Sequence, residues 1–318
     1  MKKYVLLYSN KKEEDNIVLT NMFPNNKIIS IGWTEIDNNA NKREIKNLVK
    51  DEIEELIFAG FEDGWDKLIR NLKEELSLPI KVICNTQDSL LYYEYERNNF
   101  FKLLELNKEG IVDCIGFLRK GQYELYNSLG YKCFYLLENF VLEKEFKESK
   151  KNKTLNIGVY PLNYTWDKNI FNQLCIAKMV DNCVLNYNSL DPRMNEFLET
   201  MHIESKPIQV KKTLEGVMDA RKENDVVVST SFTDYVHPVF FIAMEMGIPC
   251  LVGNSVDFLD GTKLKELVVT TTEDNPIVNG EKVKKINDNR ENIIKEYRDW
   301  KKKYNTLASD KIKEFIDL

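Results

Sequence analysis

Histidine is scarce in this chain. Its 318 residues include two, His202 and His237, which argues against a zinc site built from Cys and His ligands. The six cysteines, Cys84, Cys114, Cys133, Cys175, Cys183 and Cys250, form no Cys-x-x-Cys pair. Most lie in apolar runs, so they read as small buried residues of a reducing compartment and not as a disulfide framework. No stretch of 18 apolar residues occurs, and no membrane-spanning helix is expected. The first apolar run, Tyr4 to Tyr8, is too brief for a secretory leader, and no small-residue cleavage site follows it. A G-x-G-x-x-G turn is also missing after that first strand, where Ser9-Asn-Lys-Lys-Glu-Glu14 stands instead. With it goes the main support for a dinucleotide-dependent enzyme. Positive charge is not in excess: 45 Lys and Arg against 51 Asp and Glu give a formal charge of −6. A nucleic-acid partner calls for a basic face, and the balance argues against one.

What is present is ordinary for a soluble globular protein, with 43% hydrophobic and 30% charged residues. The length exceeds a typical single core and suits two domains of roughly 150 residues each. The expected home is the cytoplasm, with peripheral membrane contact and oligomeric state left open.

The first half alternates short apolar runs with longer amphipathic ones. The pattern predicts strands at Tyr4–Tyr8, Lys27–Ile31, Ile80–Cys84, Ile111–Ile115 and Tyr131–Leu137, with a further apolar segment at Leu56–Ala59. Helices are predicted over Lys42–Glu55, Trp65–Leu76, from Ser89 onward, and over Gln122–Leu129. Residues Glu143 to Lys153 are dense in charge and nearly devoid of apolar side chains, as a solvated connector would be. The second half repeats the alternation. Strands are expected at Leu155–Tyr160, Asn182–Asn186, Ile208–Val210, Asp225–Val228 and Pro249–Val252, and helices at Lys168–Met179, Met194–Met201 and Leu214–Lys222. Residues 290–318 read as a long charged helix or helix pair. Strands alternating with helices predict the α/β class, with two doubly wound domains over 1–141 and 154–289, a connector over 142–153, and a closing helical segment over 290–318.

The most informative stretch runs from Asp225 to Asp257 as strand, polar loop, helix and strand. Pro238 is placed at the first helical position, where a missing N–H costs nothing, and Gly247 at a left-handed C-terminal cap. The amides of Val239 and Phe240, in the first turn, would face an anion at the carboxyl ends of the strands.

Within this stretch Ser231, Asp234, Ala243-Met244, Gly247 and Pro249 carry a spacing that resembles the C-terminal half of GT-B glycosyltransferases, family four above all. That family reads Ser-x-x-Glu, then a glycine loop, then Glu-Ala-Met-x-x-Gly-x-Pro. The resemblance implies two Rossmann-like domains facing a central cleft, an N-terminal acceptor domain and a C-terminal nucleotide-sugar donor domain. It also implies a hinge near Glu138-Asn-Phe-Val141 and a C-terminal helix crossing back to the first domain. It places Ser231 and Thr233 in the donor loop, Asp234 on the sugar hydroxyls, and Lys168 in the role of the lysine that binds the donor phosphates. Thr213 and Lys212 fall beside the nucleotide base. Three departures stand out: the phosphate-binding Arg has no counterpart, Tyr235-Val236-His237-Pro238 replaces the glycine loop, and Ile242 replaces the glutamate that holds the ribose. Glu245, one turn along the same helical face, is a candidate replacement.

Sugar transfer needs the departing phosphate stabilised and the donor and acceptor held in register. His237 and Asp234 are the candidate catalytic residues, His237 donating to a phosphate or hydroxyl; a capping role is the alternative for each. Lys168 fits a phosphate ligand or a solvated first-turn cation. Asn85 and Asp88, at the end of a predicted strand, fit acceptor binding, or in the case of Asp88 a helix cap. The aromatic run Tyr92 to Phe101 fits sugar stacking or core packing. Arg119 and Lys120 fit the cleft or plain exposure.

The expected function is metal-independent transfer from a nucleotide-sugar, with a UDP-sugar as the expected donor and no cofactor, to a cell-surface glycan precursor or a protein. A catalytically inactive GT-B-like binding or partner subunit is the alternative. An epimerase of similar shape would call for more carboxylates and histidines in the cleft.

Overall fold

The structure, a computed structural model, describes residues 3–9, 23, 27–31, 35–49, 53–140, 152–161, 163–210, 214–233 and 238–318. The chain divides into two units, one holding residues up to Val141 together with Tyr304–Leu318, the other holding Leu142–Lys303. The long helix Arg290–Asp317 gives its first part to the second unit and its last part to the first.

In the first unit β1 (Tyr4–Ser9), β2 (Lys27–Ile31), β3 (Glu55–Ala59), β4 (Ile80–Cys84), β5 (Cys114–Phe117) and β6 (Cys133–Tyr135) form one sheet in the order β2-β1-β3-β4-β5-β6. Every pair is parallel, with Leu6 of β1 opposite Ile28 on one side and Ile57 on the other. Parallel strands are covered on both faces and need apolar residues throughout. Val5, Leu6, Leu7, Leu56, Ile57 and Phe58 meet that need, each fully buried. Trp65 opens the helix Trp65–Leu76 and sets its ring edge-on to Phe58 at 5.5 Å.

The sequence-based helix Lys42–Glu55 is corrected here. The helix spans Glu35–Val49, and Glu55 opens β3. A charged residue holds that buried strand position because Lys81 Nζ lies 2.9 Å from its carboxylate, both side chains being almost wholly buried. The same ammonium donates to Phe315 O at 2.6 Å and Ile316 O at 3.0 Å, satisfying the last carbonyls of the C-terminal helix. The start predicted at Ser89 shifts as well: Asp88–Tyr92 forms a 3-10 turn, and the α-helix runs over Glu94–Lys108. Asp88 caps nothing by its side chain and instead accepts from Gln122 Nε2 and Tyr126 OH.

In the second unit β7 (Leu155–Val159), β8 (Cys183–Asn188), β9 (Ser205–Ile208), β10 (Val226–Ser229) and β11 (Cys250–Val252) form a second all-parallel sheet in the order β11-β10-β7-β8-β9. The helix Pro238–Glu245 ends as the sequence predicts, with Gly247 at φ 71° and Ile248 N donating to Ala243 O. Phe240 and Phe241 of this helix pack with Phe258, Tyr297 and Trp300. The strand predicted at Ile208–Val210 lies earlier, at Ser205–Ile208.

Candidate functional site

In the second sheet the chain runs outward from β7 through β8 to β9, then returns to place β10 on the other side of β7. Strand order reverses between β7 and β10, and open α/β sheets place ligands outside the carboxyl ends at such a point. The loop leaving β7 closes with a 3-10 turn over Trp166–Lys168. Asn169 follows in the left-handed region at φ 53°, a conformation Asn tolerates better than most residues, and hands the chain to the helix Ile170–Lys178.

Asp167 binds this loop to the one leaving β10. Its carbonyl accepts from Phe232 N and from Ser231 Oγ, each at 2.9 Å. Its carboxylate accepts from Thr233 Oγ1 at 3.0 Å and lies 3.3 Å from Lys168 Nζ. Asn169 Nδ2 adds bonds to Thr230 O and Glu273 O, both at 2.9 Å, which draws in the segment after Val269. Asp167, Asn169, Thr230, Ser231 and Thr233 are all buried. Burial on its own pushes the Asp167 carboxyl up, but the Thr165 hydrogen bond, the Lys168 charge and the Thr233 hydroxyl outweigh it and hold it below the usual carboxylate range. A third loop, leaving β11, packs closely against the β10 loop at Gly253, where a Cβ would come within 2.7 Å of Ser231 O.

The residues expected at the site divide into four groups. Ser231, Thr233 and Lys168 come together around Asp167, with both hydroxyls donating to it. Val239 and Phe240 stand in the first turn of the helix Pro238–Glu245 as expected, with the Phe240 ring in the core. Glu245 points elsewhere: its Oε1 accepts from Tyr297 OH and from Lys301 Nζ, so its carboxylate ties the helix to the C-terminal one. Ile242 is buried, at 6% exposure. Asp234, His237 and Thr213 lie outside the described residues, as do Lys212 and most of the 142–153 connector.

Asp167 and Asn169 were not singled out by sequence reasoning. The available signal was the run Thr165-Trp-Asp-Lys-Asn169 at the end of the loop that follows a strand, where cap chemistry hides loop-to-loop bonding. In the first unit, the carboxyl-end residues Thr86 and Asp88 are engaged by Glu96, Gln122 and Tyr126. Lys120 pairs with Glu124 one turn along its own helix. Of the aromatic run, Phe100 is core, whereas Tyr92, Tyr95 and Phe101 are exposed. Among the described residues there is no group of three or more His, Cys, Asp or Glu able to hold a metal, and no helix is long and apolar enough to cross a membrane.

No family model and no curated protein matches the sequence. Solved structures do match. The sucrose-phosphate synthase of Thermosynechococcus elongatus superposes with a TM-score of 0.66 at 11% identity, over 98% of this chain and 94% of that one. A UDP-forming trehalose-phosphate synthase from Burkholderia xenovorans gives 0.64 at 8% identity, over 100% and 98%. HepE of Anabaena, in complex with UDP and glucose, gives 0.62 at 11% identity, over 100% and 98%. At such identities the likeness speaks for the fold, which is GT-B, with two Rossmann-like α/β domains.

Proposed function

We propose that the chain is a glycosyltransferase that moves a sugar from a nucleotide-sugar to an acceptor, with a UDP-sugar as donor. The observation that carries this reading is the bonding of the β7 and β10 loops through Asp167, which sets Lys168 at the switch point of a GT-B unit. The reading is supported by the neighbouring fold of HepE, whose structure holds UDP and glucose.

In this reading the first-turn amides of Val239 and Phe240, together with Lys168, meet the charge that develops on the leaving diphosphate. His237 donates to a phosphate or hydroxyl, and Asp234 holds the sugar hydroxyls. No metal is called on for that stabilisation. Ser231 and Thr233 act through the loop: their hydroxyls order Asp167 and its neighbours. Thr213 stands beside the base. The acceptor is a cell-surface glycan precursor or a protein, and the reaction runs in the cytoplasm.

A second reading, a GT-B-like partner subunit without catalysis, is favoured by one observation. The position expected to hold the ribose is the buried Ile242, and the carboxylate one turn along, Glu245, is engaged by Tyr297 and Lys301.

The deciding experiment is a thermal-shift screen of UDP, GDP, ADP, CMP and their sugar conjugates, repeated on Lys168→Ala and His237→Ala. A ligand at 100 times its dissociation constant adds about 2.7 kcal/mol of stability. A shift with one nucleotide that both variants abolish, together with slow hydrolysis of its sugar conjugate, supports the transferase. A shift without hydrolysis or transfer supports the partner subunit, and no shift with any nucleotide overturns donor binding.

A further inference from the structure

The bonding between the two loops sorts their side chains by direction. Ser231 and Thr233 are buried, while Phe232 between them is 39% exposed; Asp167 is buried, while Trp166 before it is 54% exposed. Phe232 N donates to Asp167 O, which brings the two outward-facing residues together. They stack with centroids 6.4 Å apart and planes 29° from parallel. Among the described residues of this unit these are the two most exposed aromatic side chains.

Their position is not random. Among the described residues of this unit, the large apolar side chains that are exposed are Trp166, Phe171, Leu190, Phe232, Ile277 and Val278. All six lie on loops or first helical turns that leave the carboxyl ends of strands, counting Val269, which bridges Val252 in parallel, as the sheet's last position. This described apolar surface therefore lies on the face where such sheets bind ligands. The loops that carry the ring pair, with the third loop beside them, are otherwise rich in neutral amides and hydroxyls. Asn163 and Asn254 are exposed there.

We infer that Trp166 and Phe232 form a stacking platform for a pyranose ring. A pyranose offers an apolar C–H face and an edge of neutral hydroxyls. Aromatic faces fit the first, and short amides and hydroxyls fit the second. The inference deepens the transferase reading and rests on it for the identity of the sugar, which belongs either to the donor or to the acceptor.

The test compares wild type with Trp166→Ala, Phe232→Ala and Trp166→Phe. Calorimetry measures UDP, GDP, ADP and their glucose and N-acetylglucosamine conjugates. Acrylamide quenching of tryptophan emission is followed with methyl hexopyranosides, in the presence and absence of nucleotide. Affinity for the bare nucleotide changes by less than about twofold. If the platform holds the donor sugar, the conjugate loses about tenfold in both alanine variants and keeps its affinity in Trp166→Phe. If it holds the acceptor sugar, the conjugate is unaffected, and methyl pyranosides shield a fluorophore that Trp166→Phe lacks. Either result supports the platform. Equal losses for bare nucleotide and conjugate would mean a base stack and would overturn it, as would no effect with any pyranose-bearing probe. If no nucleotide binds the wild type, the transferase reading fails, and pyranoside shielding of Trp166 alone then decides the platform.

Discussion

Thr233 Oγ1 donates to Asp167 Oδ2 across 3.0 Å, joining residues 66 positions apart in the chain at the point where the second sheet reverses its strand order. Charge-assisted bonds inside a buried cluster are the stronger kind, and losing one partner leaves the other without compensation. Asp167→Ala is therefore expected to cost about 2–3 kcal/mol, and Thr233→Val about 1 kcal/mol. Urea denaturation of the single and double variants checks this. Because the two residues share one bond, the double variant should lose less than the sum. Full additivity would show that the contact contributes nothing.

The same carboxylate predicts a pH dependence of known sign. Its pKa in the folded protein lies below the ordinary value, so its stabilising contribution is present above the unfolded pKa, about 3.9, and is lost as pH falls through the folded value. Wild type should fall further than Asp167→Asn when unfolding free energies are compared from pH 6 down to pH 3. A parallel fall in the two proteins would contradict the assignment.

The cysteines give a chemical test. Burial pushes the thiols of Cys84 and Cys114 up to about 12, and that of Cys133 to about 11. Burial also raises Cys175, Cys183 and Cys250. Thiolate is the reactive form, so at pH 8 the folded protein should react only slowly with a disulfide reagent, and all six thiols should titrate quickly in guanidinium. One fast thiol in the folded state would mark a local opening.

Much of the fold was legible in the sequence because burial on both faces demands continuous apolar runs, and Val226-Val-Val or Ile80-Lys-Val-Ile is hard to read otherwise. Pro238 and Gly247 marked their helix because one lacks an N–H and the other accepts φ 71° without strain. Glu55 misled for the opposite reason. An acidic residue reads as helix surface until its partner, 26 positions away, is known. The candidate site was legible only in its frame. The sequence marked Ser231 and Thr233 as loop residues, but Asp167, to which they donate, makes bonds set by tertiary approach and leaves no periodic trace.

Lys81 carries the last prediction, because one ammonium serves both Glu55 and the end of the C-terminal helix. Lys81→Met strands a carboxylate inside the first unit and frees two helix-end carbonyls, and should cost about 3–5 kcal/mol. Replacing both charges, as Glu55→Leu with Lys81→Met, removes the stranded carboxylate and should recover most of that loss, since apolar pairs often match buried ion pairs. It cannot restore the two carbonyl contacts. Hydrogen exchange near residues 312–318 should therefore stay faster in the double variant than in wild type, even where the overall stability is regained. If exchange there also returns to the wild-type rate, the ammonium is not what holds the helix end.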